Sequence, residues 1–497
     1  SRLFVLKACA SIGSCIATLA GIQAMPKAAK HIDEPLGEEP RKARWPMWKL
    51  VLMALPQLGV QVLWQFIGPN SAEYMRRLGM PDYLATLNNV AGPITGFFTG
   101  PLVGSISDTC TSRLGRRRPV IIGGLISTWV AGILWTSSEH LFTGDFTIAF
   151  AAPMYWVLDV TINVLQTPNR ALVADLAAED QQTPMQVVFV FMMAIGNFLA
   201  FSIMGGLLPG NTIDNMLPLM LIILAINTVC VGIQFMVAKE VPLTRRSSSK
   251  SLCAPFTEIA RSVYGMPWLL YQLAMVQCWV WVGNTAWNIY SKQWFTSSIW
   301  HGDFKAPEGS QSREAYAAGA HAFKTAGQYK SVLQLLSSLV IIGLLLKTRL
   351  RPRLVYAPCI FLGAVVDFLA AYVVGTSGVF AMVCFIISVM PETGSFAIPF
   401  GLVATLNKRA EEEGKPVSTA LQMALLNCCV TVGQQVCTLS LAAIETGMPM
   451  EAALPIIFLI GGVAHGLGGF GALLLEDRDE SNIVSSDSSS ESESSSE

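Results

Sequence analysis

Charge is what this sequence has least of. Only 13% of its 497 residues are Asp, Glu, Lys or Arg, and five are His, whereas soluble domains carry about 25% charged residues. So few ions cannot cover the surface of a chain this long, and an assembly of soluble domains is excluded. The net charge of −1 leaves no global field to hold nucleic acid. The 11 cysteines fall in apolar runs, basic segments or the N-terminal segment, so free thiols are expected and no disulfide framework. The neighbours Cys428 and Cys429 are expected to pack as small apolar side chains. No His, Cys, Asp or Glu spacing suits zinc or haem, and no nucleophile–base set or phosphate-cradling glycine loop occurs. The sequence therefore offers no carrier for enzyme chemistry, and neither metal nor cofactor is expected.

What the chain has instead is apolar length. It is 52% hydrophobic, with a mean hydropathy of +0.49. Twelve runs approach the ~20 residues a helix needs to cross hydrocarbon. Their centres are predicted at Leu58, Thr95, Thr128, Asp159, Ile195, Ala225, Val280, Ser338, Val365, Val389, Thr431 and Gly462. The expected class is an all-α integral membrane protein, probed by no nucleic acid and embedded in a lipid bilayer. With both termini cytoplasmic, Arg41–Lys49, Arg113–Arg118, Lys239–Arg261, Lys347–Arg353 and Lys408–Lys415 fall inside and are rich in Lys and Arg. Glu139–Asp145 and Gly210–Asn215 fall outside and carry neither. Two places run against this rule: Arg76-Arg77 after the first span, and the long outer loop Trp294–Gln328. The plasma membrane is the expected location and an organellar membrane the alternative.

The organisation predicted is an N-terminal apolar segment and polar linker (1–45), a six-helix bundle (46–238), a basic cytoplasmic linker (239–264), a second six-helix bundle (265–475, with outer loop 294–328), and a Ser/acidic tail (476–497). Leu3–Met25 is apolar enough for a surface helix, a targeting region or a thirteenth span. A six-and-six division is the arrangement of two pseudo-repeats with a substrate site between them. The tail is expected to be disordered and is the candidate contact for a regulatory partner. The chain is expected to be monomeric.

Two kinds of feature carry candidate function. One is the loop from Gly104 through Asp108, Arg113, Arg116, Arg117 and Arg118 to Pro119, which packs charge into a turn between apolar runs and is the candidate inner gate. The other is polar striping within spans. In span four, Asp159, Asn163, Gln166 and Arg170 stand at i, i+4, i+7 and i+11, so all share one helix face. An acid at mid-membrane costs about 2.5 kcal/mol or more and faces a cavity or a partner. Span seven repeats the spacing with Gln277, Trp281, Asn284 and Asn288; span one carries Gln57, Gln61 and Gln65 beside Trp64. Amides exchange hydrogen bonds with hydroxyls and indoles cover apolar ring faces, which suits a polyhydroxylated neutral ligand. The competing role is helix-to-helix adhesion. Glu392, between Pro391 and Gly394 in span ten, is a second candidate for proton coupling, and its helix must bend or break there. Asp367 in span nine ranks lower.

Several segments resemble the glycoside–pentoside–hexuronide group of the major facilitator superfamily, and specifically plant sucrose–proton symporters and their animal relatives. Leu55-Pro-Gln-Leu-Gly-Val-Gln61-Val-Leu-Trp64 and Leu78-Gly-Met-Pro81 resemble their first helix and outer turn. Ala91-Gly-Pro93-Ile and Pro101 through Pro119 resemble the second helix and its loop. Leu158-Asp159-Val and Leu165-Gln166-Thr-Pro168-Asn-Arg170-Ala-Leu-Val-Ala-Asp175-Leu resemble the fourth. Gly196-Asn197 and Ile398-Pro399-Phe400 also fit. The resemblance implies a major facilitator fold of twelve helices in two six-helix bundles. It implies that Asp159 is the proton-coupling carboxylate and that Arg170 is needed for coupled transport. Where relatives end span seven with Asp, Arg and Glu, Ser291-Lys-Gln-Trp294 keeps only the Trp, and Asp82 stands where plant symporters place a His. An outer gate network is expected to be missing.

The expected function is movement of a sugar or glycoside by alternating access, with a proton. Asp159, Arg170 and Glu392 would handle the proton, while Gln61, Trp64, Gln65, Asn163, Gln166, Gln277, Trp281, Asn284 and Asn288 would line the sugar site. Asp108, Arg113, Arg116 and Arg117 would gate the inner side. The alternatives are a proton-independent uniporter and a transporter-like sensor or complex subunit.

Overall fold

A computed structural model describes residues 44–178, 181–208, 210–240, 268–347, 351–372, 378–412 and 419–475. The expectations for Leu3–Met25, for most of the basic linker and for the Ser/acidic tail lie outside the described residues. All regular structure among the described residues is helical. In chain order the helices are α1 Met47–Arg77, α2 Asp82–Asn88, α3 Ala91–Asp108, α4 Arg118–Thr136, α5 Ser138–Leu141, α6 Asp145–Leu176, α7 Gln182–Gly206 and α8 Met216–Val237. After the linker come α9 Trp268–Gln293, α10 Gln311–Lys347, α11 Pro352–Tyr372, α12 Gly378–Ile387, α13 Val389–Glu412, α14 Thr419–Glu445 and α15 Met450–Leu473.

Each predicted centre falls in a helix, and nine helical stretches among the described residues are long and apolar enough to cross a membrane. In hydrocarbon every backbone donor and acceptor must be met within the segment, which makes helix the only solution for such runs. Many apolar side chains remain exposed, among them Ile126, Val130, Val229, Val365 and Phe470, as lipid-facing positions require. The tenth predicted span is broken as its proline demands. Pro391 has no N–H and its ring collides with the carbonyl four residues back, and α12 ends at that residue, Ile387. Ser388 closes the gap by donating its hydroxyl to Phe385 O at 2.7 Å.

The segment predicted as a long outer loop is largely ordered. A short π-helical turn covers Trp294–Ile299, and α10 begins at Gln311. Arg313, Glu314, His321 and Lys324 give this stretch a loop-like composition, yet Tyr316, Ala320 and Phe323 recur at helical spacing and are buried.

The chain forms two compact units. The first draws on Ser1–Leu63, Ile94–Gly196 and Met216–Gly265; the second on Trp64–Pro93, Asn197–Asn215 and Met266–Glu497. Helices α1 and α7 each contribute one part of their length to either unit. In the first unit, α7 passes α1 at Gly196, where a Cβ would lie 2.8 Å from the Leu58 carbonyl oxygen. Small residues allow such backbone contact between membrane helices.

Candidate functional site

In the first unit the polar face of α6 is assembled as its spacing predicts. Asp159 is buried; its Oδ2 accepts from the Thr95 hydroxyl of α3, and its Oδ1 has no hydrogen-bond partner among the described residues. Asn163 donates to the Asp159 carbonyl at 3.0 Å and to Thr95 Oγ1 at 3.4 Å. An acid with one buried oxygen unmatched is suited to carry a proton there, since that oxygen can be protonated without losing a bond. Arg170 lies further along α6 and is exposed; its Nε donates to Gln57 Oε1 of α1 at 2.8 Å. Gln57, Gln166, Asn169, Arg170 and Gln234 line a small cavity in this unit with Met53, Val60 and Phe189. Arg170 thus meets Gln57 rather than Asp159, from which it stands roughly 16 Å along the helix axis. Gln61 is half-buried in the same unit.

The charged loop at the end of α3 is a closed network. The Arg117 guanidinium is buried and pairs with Asp108 at 2.5 Å and with Asp175 of α6 at 2.9 Å, while Arg116 reaches Asp175 at 2.7 Å. Glu240, just past α8, accepts from the Arg117 backbone N–H at 2.9 Å. Arg118 donates to Phe235 O at 2.7 Å and to Ala238 O. Gly115 turns the loop at φ +107°, in contact with Glu240, a conformation that side chains other than glycine's resist. Arg113 is exposed and has no ion-pair partner among the described residues.

The span-seven stripe on α9 divides by partner. Gln277 is fully buried and committed: it donates to Ser395 O at 3.0 Å and accepts from the Tyr356 hydroxyl at 3.1 Å. Trp281 packs edge-on against Phe396, ring centroids 5.2 Å apart. Asn284 Oδ1 lies 3.3 Å from His465 Nε2 of α15. His465 Nδ1 in turn lies 2.7 Å from Asp367 Oδ2 of α11, and Trp287 donates its indole N–H to the other Asp367 oxygen. Asn288 reaches open space. With Gln65, Asn197, Trp287, Phe385, Lys330, Gln334 and Glu392 it lines a cavity of the second unit. Lys330 of α10 and Glu392 of α13 are both buried there, 3.7 Å apart. Trp64 is half-buried in this unit.

The segment from which an outer gate network is expected to be missing carries a different set of paired charges. Lys292 at the end of α9 pairs with Glu73 of α1 at 2.6 Å, with both side chains only 3% exposed. It also donates to Asn70 Oδ1 at 2.6 Å, and the Tyr316 hydroxyl donates to Glu73. The two arginines that ran against the charge rule are neutralised nearby. Arg76 pairs with Asp82 at 3.3 Å, and Arg77 pairs with Asp214, which also meets Arg313 at 3.2 Å.

Sequence reasoning missed Thr95, Glu73, Lys292, Lys330, Glu240 and His465. Lys330 and Glu73 could have been flagged by the rule that an ionisable residue inside a span marks a site, had the ends of the helices been drawn correctly. Nothing in the sequence pairs His465 with Asp367.

Comparison with known proteins agrees with this architecture. The family model described as MFS/sugar transport protein matches residues 73–292. The sucrose transport protein SUC3 of Arabidopsis thaliana is 36% identical over 189 residues, which is 35% of this chain and 32% of that one. The sucrose transport protein SUT4 of Oryza sativa subsp. indica is 37% identical over 169 residues, 31% of this chain and 28% of that one. These matches span about a third of the relatives' length. The sucrose transport protein SUT5 of Oryza sativa subsp. indica is 27% identical over 444 residues, 78% of this chain and 80% of that one. Among solved structures, a D-xylose–proton symporter superposes with TM-score 0.59 at 12% identity, covering 87% of this chain and 99% of that one. The human organic anion transporter MFSD10 superposes with TM-score 0.58 at 16% identity, covering 86% and 100%.

Proposed function

We propose that this integral membrane protein, which has the major facilitator fold and resembles plant sucrose transport proteins, carries a sugar or glycoside together with a proton. The observation that carries the reading is Asp159: a buried carboxyl midway along α6, one oxygen held by Thr95, the other unmatched, with Asn163 beside it. In the transport cycle Asp159 takes a proton as the substrate binds and gives it up on the opposite side. Thr95 holds the carboxyl in one orientation and Asn163 holds Thr95, so that protonation changes the carboxyl's charge but not its place. Arg170 on Gln57 marks the end of the polar face toward the arginine loop. The Arg117 network there and the Lys292–Glu73 pair at the far end of α1 are the two candidate gates. The plasma membrane is the proposed location.

The test is uptake by proteoliposomes of the purified chain across a panel of sugars and glycosides, with and without an imposed pH gradient. Accumulation above equilibrium is expected only with the gradient, and Asp159→Asn should abolish accumulation while leaving counterflow exchange. Gradient-driven accumulation that survives Asp159→Asn removes the proton assignment. Uptake indifferent to the gradient in the parent protein makes it a uniporter.

A further inference from the structure

The cavity of the second unit holds a charge pair that a neutral sugar does not require. Lys330 stands midway along α10 and is more than nine-tenths buried, as is Glu392. Their closest approach is 3.7 Å, beyond the 2.7–2.9 Å of a charge-assisted hydrogen bond. Their charges are therefore compensated, but their hydrogen-bonding capacity is not consumed. The Lys330 ammonium sits over the Phe385 ring, 4.7 Å from its centre. The amides of Gln65 and Asn288 line the same cavity. Neither makes a hydrogen bond among the described residues, whereas the other two amides of the cavity, Asn197 and Gln334, bond each other at 2.9 Å.

We propose that this cavity takes its ligand through a carboxylate group held by Lys330, and that Glu392 and the ligand compete for that ammonium. With the cavity empty, ionised Glu392 compensates Lys330. When Glu392 takes a proton from water its negative charge is gone, Lys330 stays charged, and the ligand's carboxylate takes the vacated place. One proton and one anion enter together, and the charge within the cavity is unchanged. Gln65 and Asn288 are then free to meet the ligand's hydroxyls.

The surroundings favour an anion over a cation. Lys324, on the same helix, is buried and has no ion-pair partner among the described residues. A cationic ligand would have to displace Lys330 from Glu392 and leave a buried ammonium unpaired. The charged and titratable groups on elements packed about Glu392 are Lys330 of α10, Asp367 and His465 of α11 and α15, and Tyr356 and Cys359 of α11 behind Gly394. Asp367 and His465 are committed to each other. Among the described residues, Lys330 alone lies within ion-pair distance of Glu392.

On the sugar-carrier reading, on which this inference rests for its ligand class, the substrate is a sugar acid. The experiment titrates the full chain in nanodiscs by calorimetry with glucuronate, glucose and glucosamine, which differ in charge on one scaffold, and with lactate as a carboxylate without a ring. Glucuronate is expected to bind at least tenfold more tightly than glucose or glucosamine. Its affinity should fall as pH rises, because the anion enters together with a proton. Lys330→Met should lose at least tenfold for glucuronate and Lys330→Arg less than threefold; Glu392→Gln should bind it independently of pH. Because Lys330→Met alone leaves Glu392 unpaired, the double variant Lys330→Met/Glu392→Gln serves as a folded control, and it should no longer prefer glucuronate.

Tightest binding of glucose or glucosamine overturns the proposal, as does a glucuronate affinity unmoved by Lys330→Met or a pH slope retained in Glu392→Gln. If glucose is transported and no anion is preferred, the carrier reading stands and this inference falls. If lactate binds through Lys330 and no sugar is bound or transported, the inference stands and the sugar reading falls. If none of the four probes binds, this inference falls and the carrier reading is decided by the uptake panel.

Discussion

The buried pair at the end of α1 gives the sharpest prediction about how this protein opens. Lys292 and Glu73 approach to 2.6 Å with side chains 3% exposed. At an effective dielectric near 20, two unit charges at that distance attract by about 6 kcal/mol before desolvation. Truncating one partner of such a pair costs about 3–5 kcal/mol, because the other is left buried and unpaired. Here the lower figure applies, since Tyr316 still donates to Glu73 after Lys292 is removed. If Lys292→Met loses about 3 kcal/mol in the state where α1, α9 and α10 are packed together, and nothing where they separate, the opening equilibrium shifts about 100-fold, at 1.4 kcal/mol per factor of ten.

A cysteine placed at Gln293 reads that shift directly. Gln293 is 3% exposed and donates to the Pro69 carbonyl of α1 at 3.3 Å, so a thiol there is shielded until α1 and α9 part. The measurement is the labelling rate of Gln293→Cys by a membrane-impermeant maleimide, corrected for the parent protein's own cysteines. Lys292→Met should raise that rate by about two orders of magnitude. The double variant Glu73→Gln/Lys292→Met removes both charges and should raise it by about tenfold or less. A rate in Lys292→Met within threefold of the reference would refute the reasoning, because the pair would then not be a contact that opening must break.

Four further outcomes follow from single residues. Arg117→Ala should destabilise the first unit by about 2–3 kcal/mol, because Asp108 is solvated and Asp175 keeps Arg116; Arg113→Ala should stay within about 0.5 kcal/mol. Thermal unfolding in detergent compares the two. Gly283→Ala places a methyl 2.2 Å from the His465 ring, which Asp367 and Asn284 hold in place; the loss should be about 1–3 kcal/mol, seen as a lowered unfolding midpoint. Gln277→Leu leaves the Tyr356 hydroxyl and the Ser395 carbonyl unmatched and should cost about 1–3 kcal/mol. Asn288→Leu should not lower the unfolding midpoint and should instead weaken ligand binding, measured by calorimetry.

The helices were legible because the membrane enforces one solution on each apolar run, and all twelve centres fall inside helices. The break in the tenth span was legible for the same kind of reason: Pro391 removes a donor that nothing else can supply. Helix ends were less so. Residues 311–328 read as an outer loop because polar side chains dilute their hydropathy, and the burial of Tyr316 and Phe323 is a tertiary fact. That misplaced end concealed Lys330, whose position midway along α10 appears only once the helix is extended back to Gln311.

The α9 stripe marks where periodicity stops. A spacing of four, seven and eleven puts Gln277, Asn284 and Asn288 on one face, but a helix face can meet protein at one level and open space at another. Gln277 meets Tyr356 and Ser395, Asn284 meets His465, and only Asn288 reaches the cavity. The sequence carries the angle of each residue about its own axis and nothing about the neighbour at that height. On α6 the neighbour is a threonine, small enough to hold Asp159 by one oxygen and leave the other unmatched. On α11 it is an imidazole and an indole, which together satisfy both oxygens of Asp367. Two intramembrane aspartates thus differ in what faces them: Asp159 keeps one oxygen unmatched among the described residues, as the proposed proton transfer requires, and the fully bonded Asp367 ties three helices together.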